Sequence, residues 1–531
     1  MNVVLKRLDR YNRQFPESVR VGVSKSMNLR YFVLIKLSVR FYLLSALLLA
    51  SFSAGVMAQT PVPARTDDAK KTYKAAMEDA DQKIADEVKS HSELMKNLEH
   101  LTTEIGPRLT GSKQMQQASD WTLKRFHDYG IDAHLETTEI PHAYYRGVDT
   151  AEITAPIERH IGVRALGWSK ATPGEISGQV AVVKMDSLDD LARFKGKLKG
   201  AIILLNKPAE IPTEPEENAY DAVIAPDKGL SKALRLGFQE RMKMMAMIGQ
   251  EQPGVLLLDS GKTDNLFNMS AFSRYQPSEV PLGFLTHEDF SLIYRLAAVG
   301  PVSLKVNLTG TFSPGPVPAS ITVGEIKGSE FPDERVIIGG HLDSWDLGQG
   351  ALDNGTGSMA VLEAARTLKA LGWKPKRTIT FILFTGEEQG GVGADAFMKN
   401  HASEIPKMDA ALVHDTGTGK VFSIALENLY ETAPLMGEIY EPLREVFDLQ
   451  PLSTRYFGSS DHVAFLRAGV PSYFCIQKPA HYREAHHSQT DTFDKVIPDE
   501  INEGAALLAA WAWNVSEMPV ALPHHAAAAG R

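Results

Sequence analysis

Two kinds of metal-binding side chain recur at the ends of apolar runs. His341 closes ERVIIGGHLDS (334–344), Glu387 and Glu388 close RTITFILFTGEE (377–388), and Asp415 closes DAALVHD (409–415). His486 and His487 follow VPSYFCI (470–476), and Asp353 sits between the first two runs in the glycine-rich turn GQGALDNGTG (348–357). Imidazole and carboxylate donors of this kind suit zinc, with manganese or cobalt as alternatives. The chain has one cysteine, Cys475, so a thiolate cluster and an intrachain disulfide are both excluded. Two divalent ions facing Asp353, Glu388 and Asp415, with His341 and His487 neutral, keep one net positive charge. That charge is enough to acidify a water molecule. Glu387 is then a spare carboxylate beside a ligand, which is what a general base needs to be.

The elements that position these groups are legible. The four runs are apolar on both faces, as strands are in a sheet covered by helices on both sides. Such sheets build their sites outside the carboxyl ends of the strands. The turn around Asp353 leads into GSMAVLEAARTLKAL (357–371), where Val361, Leu362, Ala365 and Leu368 make an apolar helical stripe. Upstream, residues 66–100 lack Gly and Pro and predict a helix, broken by Gly106 and Pro107. A second helix is expected through Ala118, Trp121, Leu123 and Phe126, then a strand at IDAHLETTEI (131–140).

Between about 148 and 314 the texture changes. Short β-rich runs (QVAVVKM, GAIILLN, GVLLLD, VSLKVNLTGTF) alternate with loops such as IPTEPEE (211–217), which reads as a separate β-rich insert. The division expected is an N-terminal extension and signal over 1–58, the first part of the main domain over 59–147, the insert over 148–314, the main α/β part over 315–520 and a low-complexity tail over 521–531. The two histidines of that tail, in PHHAAAAGR (523–531), read as an unstructured end rather than a metal site. The tyrosines of HAYYRG (142–147) read as packing groups at the entry to the insert.

The 531 residues are 44% hydrophobic and 23% charged, which excludes a disordered or multi-span membrane chain. Residues 1–40 carry nine Lys or Arg and two Asp or Glu, so the body is more acidic than the net charge of −9 shows, and nucleic acid is not an expected partner. The basic start, the uncharged FYLLSALLLASFSAGVMA (41–58) and its small residues predict a secretory signal cut near Ala58, with no stable membrane span afterwards. A secreted or periplasmic protein is expected, with Met1 and Met27 both open as starts.

GGHLDSWDLGQGALDNGTG (339–357), TGEEQGGVGA (385–394), HDTGTG (414–419), SSDHVAFLRAGVP (459–471) and HHSQTDT (486–492) resemble the di-zinc aminopeptidase and glutamate carboxypeptidase family of metallopeptidases. IGPRLTGS (105–112) is similar to the family's N-terminal signature. The resemblance implies a zinc-exopeptidase sandwich: a mostly parallel central sheet flanked by helices, with an inserted protease-associated domain. It implies one zinc on His341 and Asp415, another on Glu388 and His487, and Asp353 bridging both. Glu387 would be the base, and Asp343 would orient the His341 imidazole. It also implies a cis peptide at Asp353–Asn354 and a homodimer. Where many members carry a Tyr before the ligand histidine, this chain has His486, which either steadies the oxyanion or packs beside the loop. The expected activity is a secreted di-zinc exopeptidase acting on unblocked dipeptides or short peptides. The alternatives are a non-catalytic receptor-like binding protein of the same fold and a metal-dependent amidase or glutaminyl-cyclase-like enzyme.

Overall fold

The computed structural model describes residues 65–184, 190, 193–211 and 238–526, so the expected signal segment lies outside the described residues. Among the described residues no helix is long and apolar enough to cross a membrane.

Seven strands form the main sheet: β1 (Asp132–Ile140), β2 (Val317–Ile326), β3 (Phe331–His341), β4 (Arg377–Phe384), β5 (Met408–Val413), β6 (Val421–Ala425) and β7 (Ser472–Gln477). Their order is β1-β2-β4-β3-β5-β7-β6. Only the central four, β4-β3-β5-β7, run parallel; β1, β2 and β6 are antiparallel to their neighbours. The sheet is therefore mixed rather than mostly parallel, but its parallel part is the part that carries the chemistry. Every residue of β4, β5 and β7 is buried. Alternate side chains enter two cores, as the pleat requires. Ile338, Phe381 and Leu412 pack with the helices Asp67–His91, Lys113–Asp128, Thr356–Ala370, Ala433–Phe447 and Pro498–Glu517. Ile337, Ile382 and Ala411 pack with Val392–Asn400 and His462–Ala468.

The expected stripe on Thr356–Ala370 is wider than predicted. Residues 356–368 are buried on all sides, and the charges this encloses are matched, Arg366 pairing with Glu363 at 2.8 Å and Glu87 at 3.0 Å. The helix expected over 66–100 is interrupted at Ser92, the C-cap of the first helix, whose hydroxyl accepts from the Leu94 N–H where the next helix, Leu94–Glu99, begins.

Residues 150–307 build a second sheet of eight strands with two apolar clusters of its own. It is less purely β than its sequence reads. Ile176–Val183, Ile202–Leu205, Val255–Asp259 and Leu282–Leu285 are parallel, and the helices Phe238–Gln250 and His287–Val299 belong to the same stretch. Tyr144–Arg146 and Gly310–Phe312 pair antiparallel, so the chain enters and leaves this sheet side by side. Tyr144 packs on Trp168 and Phe312, whereas Tyr145 is exposed. The C-terminal segment is not loose through Ala526. His524 Nε2 lies 2.8 Å from the Met408 carbonyl, His525 Nε2 lies 2.8 Å from that of Leu466, and the Leu522 N–H donates to Asp409.

Candidate metal centre

The parallel strands deliver their polar ends to one place. His341 is the last residue of β3; Glu387 and Glu388 lie three and four residues past β4; Asp415 lies two past β5. His486 and His487 come from the loop after β7. Asp353 arrives from the turn before the helix Thr356–Ala370, and the Asp353–Asn354 peptide is cis.

That turn is tied down from three directions. Asp491 accepts from the N–H groups of Leu352 (2.6 Å) and Asp353 (3.2 Å). Asn354 donates to the His414 carbonyl at 2.8 Å and accepts from the Gly357 N–H at 3.0 Å. Gly357 permits this approach, since a Cβ there would lie 2.3 Å from both the His414 carbonyl oxygen and Asn354 Oδ1. Arg108 is fully buried beneath the preceding loop and donates to the carbonyls of Gly106, Leu342, Gln349 and Gly350. Arg108→Met strands those four acceptors and is expected to cost about 3 kcal/mol. Urea unfolding checks this: the midpoint should fall with an unchanged slope, and an unchanged midpoint would refute it.

The Asp353 carboxylate lies between two imidazoles. Its Oδ1 is 3.4 Å from His341 Nε2, and its Oδ2 is 3.6 Å from His487 Nε2 and 3.8 Å from His486 Nε2. Asp415 Oδ1 is 3.0 Å from His341 Nε2, and Glu388 Oε2 is 3.0 Å from His487 Nε2. Two groups of donors therefore share Asp353: His341, Asp353 and Asp415, and Asp353, His486 and His487, each with ligand atoms within 4.8 Å of one another. Glu388 meets the second group through His487. Side-chain exposure is 1% for His341 and Glu388 but 17% and 23% for His486 and His487, so the mouth of the site is on the histidine pair.

His341 Nδ1 faces the Asp343 carbonyl at 2.9 Å, and a carbonyl can only accept, so Nδ1 carries the proton and Nε2 is left for a ligand. The Asp343 carboxylate stands farther off, 3.6 Å from Nδ1, and accepts instead from Thr110 Oγ1 (2.9 Å) and the Glu387 N–H (3.3 Å). The backbone of Asp343 holds the imidazole, while its side chain ties the Glu387 turn to the N-terminal signature.

Electrostatically the centre lacks positive charge. Burial, then the repulsion of Asp353, pushes Glu388 well above the carboxylate range, and burial pushes Glu387 up to about 8. Burial pulls His487 down to about 4 and His486 well below its ordinary value, so both imidazoles are neutral with free lone pairs. Burial opposes a charge on His341, but Asp415, Asp343 and Asp353 outweigh it and raise its affinity for a proton. The residues fit metal ions on two further counts. Asp353 Oδ2 and Glu388 Oε2 are buried and accept no hydrogen bond. The donor separations of 3.0–3.8 Å also bracket the about 3.4 Å expected between two ligands that each lie about 2.1 Å from a tetrahedral ion.

Four functional neighbours escaped the sequence reading. Asp491 and Asp461 lie inside segments already singled out, but nothing local assigns them a task. Asp461 is buried with both oxygens lacking a hydrogen-bond partner, and burial, then Glu387, raises its pKa well above the ordinary value. Arg108 and Lys262 are basic residues in loops, which ordinarily face water.

Imidazoles and carboxylates gathered at the carboxyl edge of a parallel sheet, with one carboxylate shared between two donor groups, define a metallohydrolase. The model for peptidase family M28 matches residues 322–512. Carboxypeptidase Q of Mus musculus is 31% identical over 433 residues, covering 80% of this chain and 85% of that protein. The crystal structure of a peptidase M28 precursor from Shewanella amazonensis has a TM-score of 0.71 at 27% identity, covering 85% of this chain and 99% of that one. A zinc aminopeptidase from Bacillus subtilis shares the fold, with a TM-score of 0.59 at 19% identity over 79% of this chain and 93% of its own. The chain belongs to peptidase family M28, as a carboxypeptidase Q-like member of it.

Proposed function

We propose that this metallopeptidase is an exported di-zinc exopeptidase that hydrolyses unblocked dipeptides or short peptides. One observation carries the reading: Asp353 presents one oxygen to His341 and the other to His487, which is the arrangement a bridging ligand requires. His341 and Asp415 would hold one ion, and Glu388 and His487 the other. His486 offers its Nε2 on the second side, which supports a direct part in the site over packing alone. Zinc bound there would supply Lewis acidity toward water and toward the scissile carbonyl.

The chain's own residues do the rest. Glu387 stands outside both donor groups and, unlike Glu388 on His487, pairs with neither His341 nor His487 among the described residues, so its carboxylate is free to take the proton of the attacking water at Oε and deliver it to the leaving amine. Asp343 fixes the backbone on which Glu387 is carried. The buried walls around His341 and Glu388 exclude bulk water, and substrate enters over the histidine pair. The second sheet is read as the inserted protease-associated domain, and the segment 41–58 supports export.

The test pairs zinc stoichiometry of the mature protein with hydrolysis of unblocked and N-blocked dipeptides. About two zinc ions per chain, with cleavage of the unblocked substrates alone, is the expected result. One ion or none after purification without chelator would refute the di-metal centre. Turnover of N-terminal Gln peptides in place of dipeptides would move the reading to acyl transfer.

A further inference from the structure

His487 has φ +59°, in the left-handed region that residues other than glycine seldom occupy. A side chain that must aim at Asp353 and Glu388 from such a backbone needs its flanking peptides held. The groups that hold them come from the second sheet rather than from the main one. The Met269 N–H donates to the His487 carbonyl at 2.7 Å. Lys262 Nζ donates to the carbonyls of Arg483 (2.8 Å), Glu484 (3.3 Å) and His486. A reciprocal pair continues the seam: the Phe267 N–H donates to Gln489 Oε1 at 2.9 Å, and Gln489 Nε2 donates to the Asn265 carbonyl at 2.9 Å.

Lys262 is itself aimed. It lies three residues past the strand Val255–Asp259, at the carboxyl edge of the parallel part of the second sheet. The Asp259 carboxylate accepts from the N–H groups of Gly261 (2.9 Å) and Ala209 (2.8 Å) and meets His287 Nδ1 at 2.9 Å, which fixes the turn that launches the lysine. Lys262 is buried, and its ammonium end points at backbone oxygens with no carboxylate in hydrogen-bond reach among its described partners. A buried lysine spent on two carbonyls of the short helix Tyr482–Ala485 and on that of His486 just past it orders the segment that carries the histidine pair.

We propose that Lys262 is a positioning residue for the His486–His487 loop, so that the second sheet builds one half of the metal centre and leaves the other half to the main sheet. Among the described residues His341 and Asp415 receive no hydrogen bond from the second sheet; His341 meets the Asp343 carbonyl and Asp415 at the ends of β3 and β5, and its own carbonyl accepts from Ser358 of the helix Thr356–Ala370. The role assigned to Lys262 rests on the di-metal reading above and predicts an asymmetry that reading alone does not.

The test is zinc titration of the full chain against a competing chelator, with wild type, Lys262→Met and Lys262→Arg compared. Wild type should show two ions. Lys262→Met should keep one at wild-type affinity and lose about 10- to 100-fold on the other, the range for removing an outer support of a metal ligand. Lys262→Arg, which restores donors to the carbonyls, should recover part of the loss. Equal weakening at both ions, or none at either, would overturn the role of Lys262 while leaving the di-metal centre intact. Fewer than two ions in wild type would overturn the di-metal reading itself. Should Lys262→Met fail to fold, Lys262→Gln is titrated in its place under the same criteria.

Discussion

Glu387→Gln will keep its zinc and lose about 10²- to 10⁴-fold in kcat, the range over which a positioned proton-transfer group contributes. The substitution preserves shape and removes the one thing the mechanism asks of this side chain, an oxygen that takes and returns a proton. Metal binding should survive because neither donor group around Asp353 includes Glu387 and, unlike Glu388 on His487, it pairs with no imidazole of the centre among the described residues. The turn should survive because it is the backbone N–H of residue 387 that Asp343 accepts from. The wild-type rate should fall on the acid side as Glu387 is protonated, and that limb should be absent from the residual activity of Glu387→Gln.

The metal-free protein offers a second readout with a definite sign. Burial raises Glu387 from 4.5 to about 8, so the folded state binds its proton more tightly than the unfolded chain. The associated stability is present below pH 4.5 and lost as pH rises through 8. The melting temperature of metal-free wild type should therefore fall, relative to Glu387→Gln, across that window. A variant within tenfold of wild-type turnover would remove Glu387 as the base.

The parts of this site that can be read from the chain are those whose meaning is local. A run such as ITFILF, five apolar residues and one Thr, reads as a strand covered on both faces, and that places the charged residues after it at a strand end. Strand direction is a different matter. VPASITVGEI and VFSIA show nothing that distinguishes parallel from antiparallel pairing, and these are the strands that make the sheet mixed. The insert reads as β-rich because its parallel strands are short, apolar and set between polar loops. Asp343 shows the limit of reading a role from spacing. Two residues past His341 it is well placed to orient the imidazole, yet its carbonyl takes that position and its carboxylate serves Thr110 and Glu387. Lys262 was beyond reach, because a lysine after a strand is ordinarily solvated and its three acceptors lie more than two hundred residues downstream.

Asp353→Ala will release both ions from a folded protein. Every other donor serves one side of the centre: Asp415 meets His341, and Glu388 meets His487. Among the described residues Asp353 alone faces both imidazoles, Oδ1 toward one and Oδ2 toward the other. Its removal takes a negative charge from each ion at once and leaves the two cations with less between them to offset their mutual repulsion. The affinity lost on each side should exceed the about 10- to 100-fold that removal of an outer partner costs. The fold should persist, because the turn is held by groups the substitution does not touch: Asp491 on the N–H groups of 352 and 353, and Asn354 on the His414 carbonyl. Zinc content after dialysis should approach none, with peptide hydrolysis lost and far-ultraviolet circular dichroism unchanged. Asp415→Ala is the control, expected to release the His341 ion and retain the one on His487. Two ions retained by Asp353→Ala would contradict the bridge, and one retained would show that the two sides bind independently, with Asp353 a ligand to one of them.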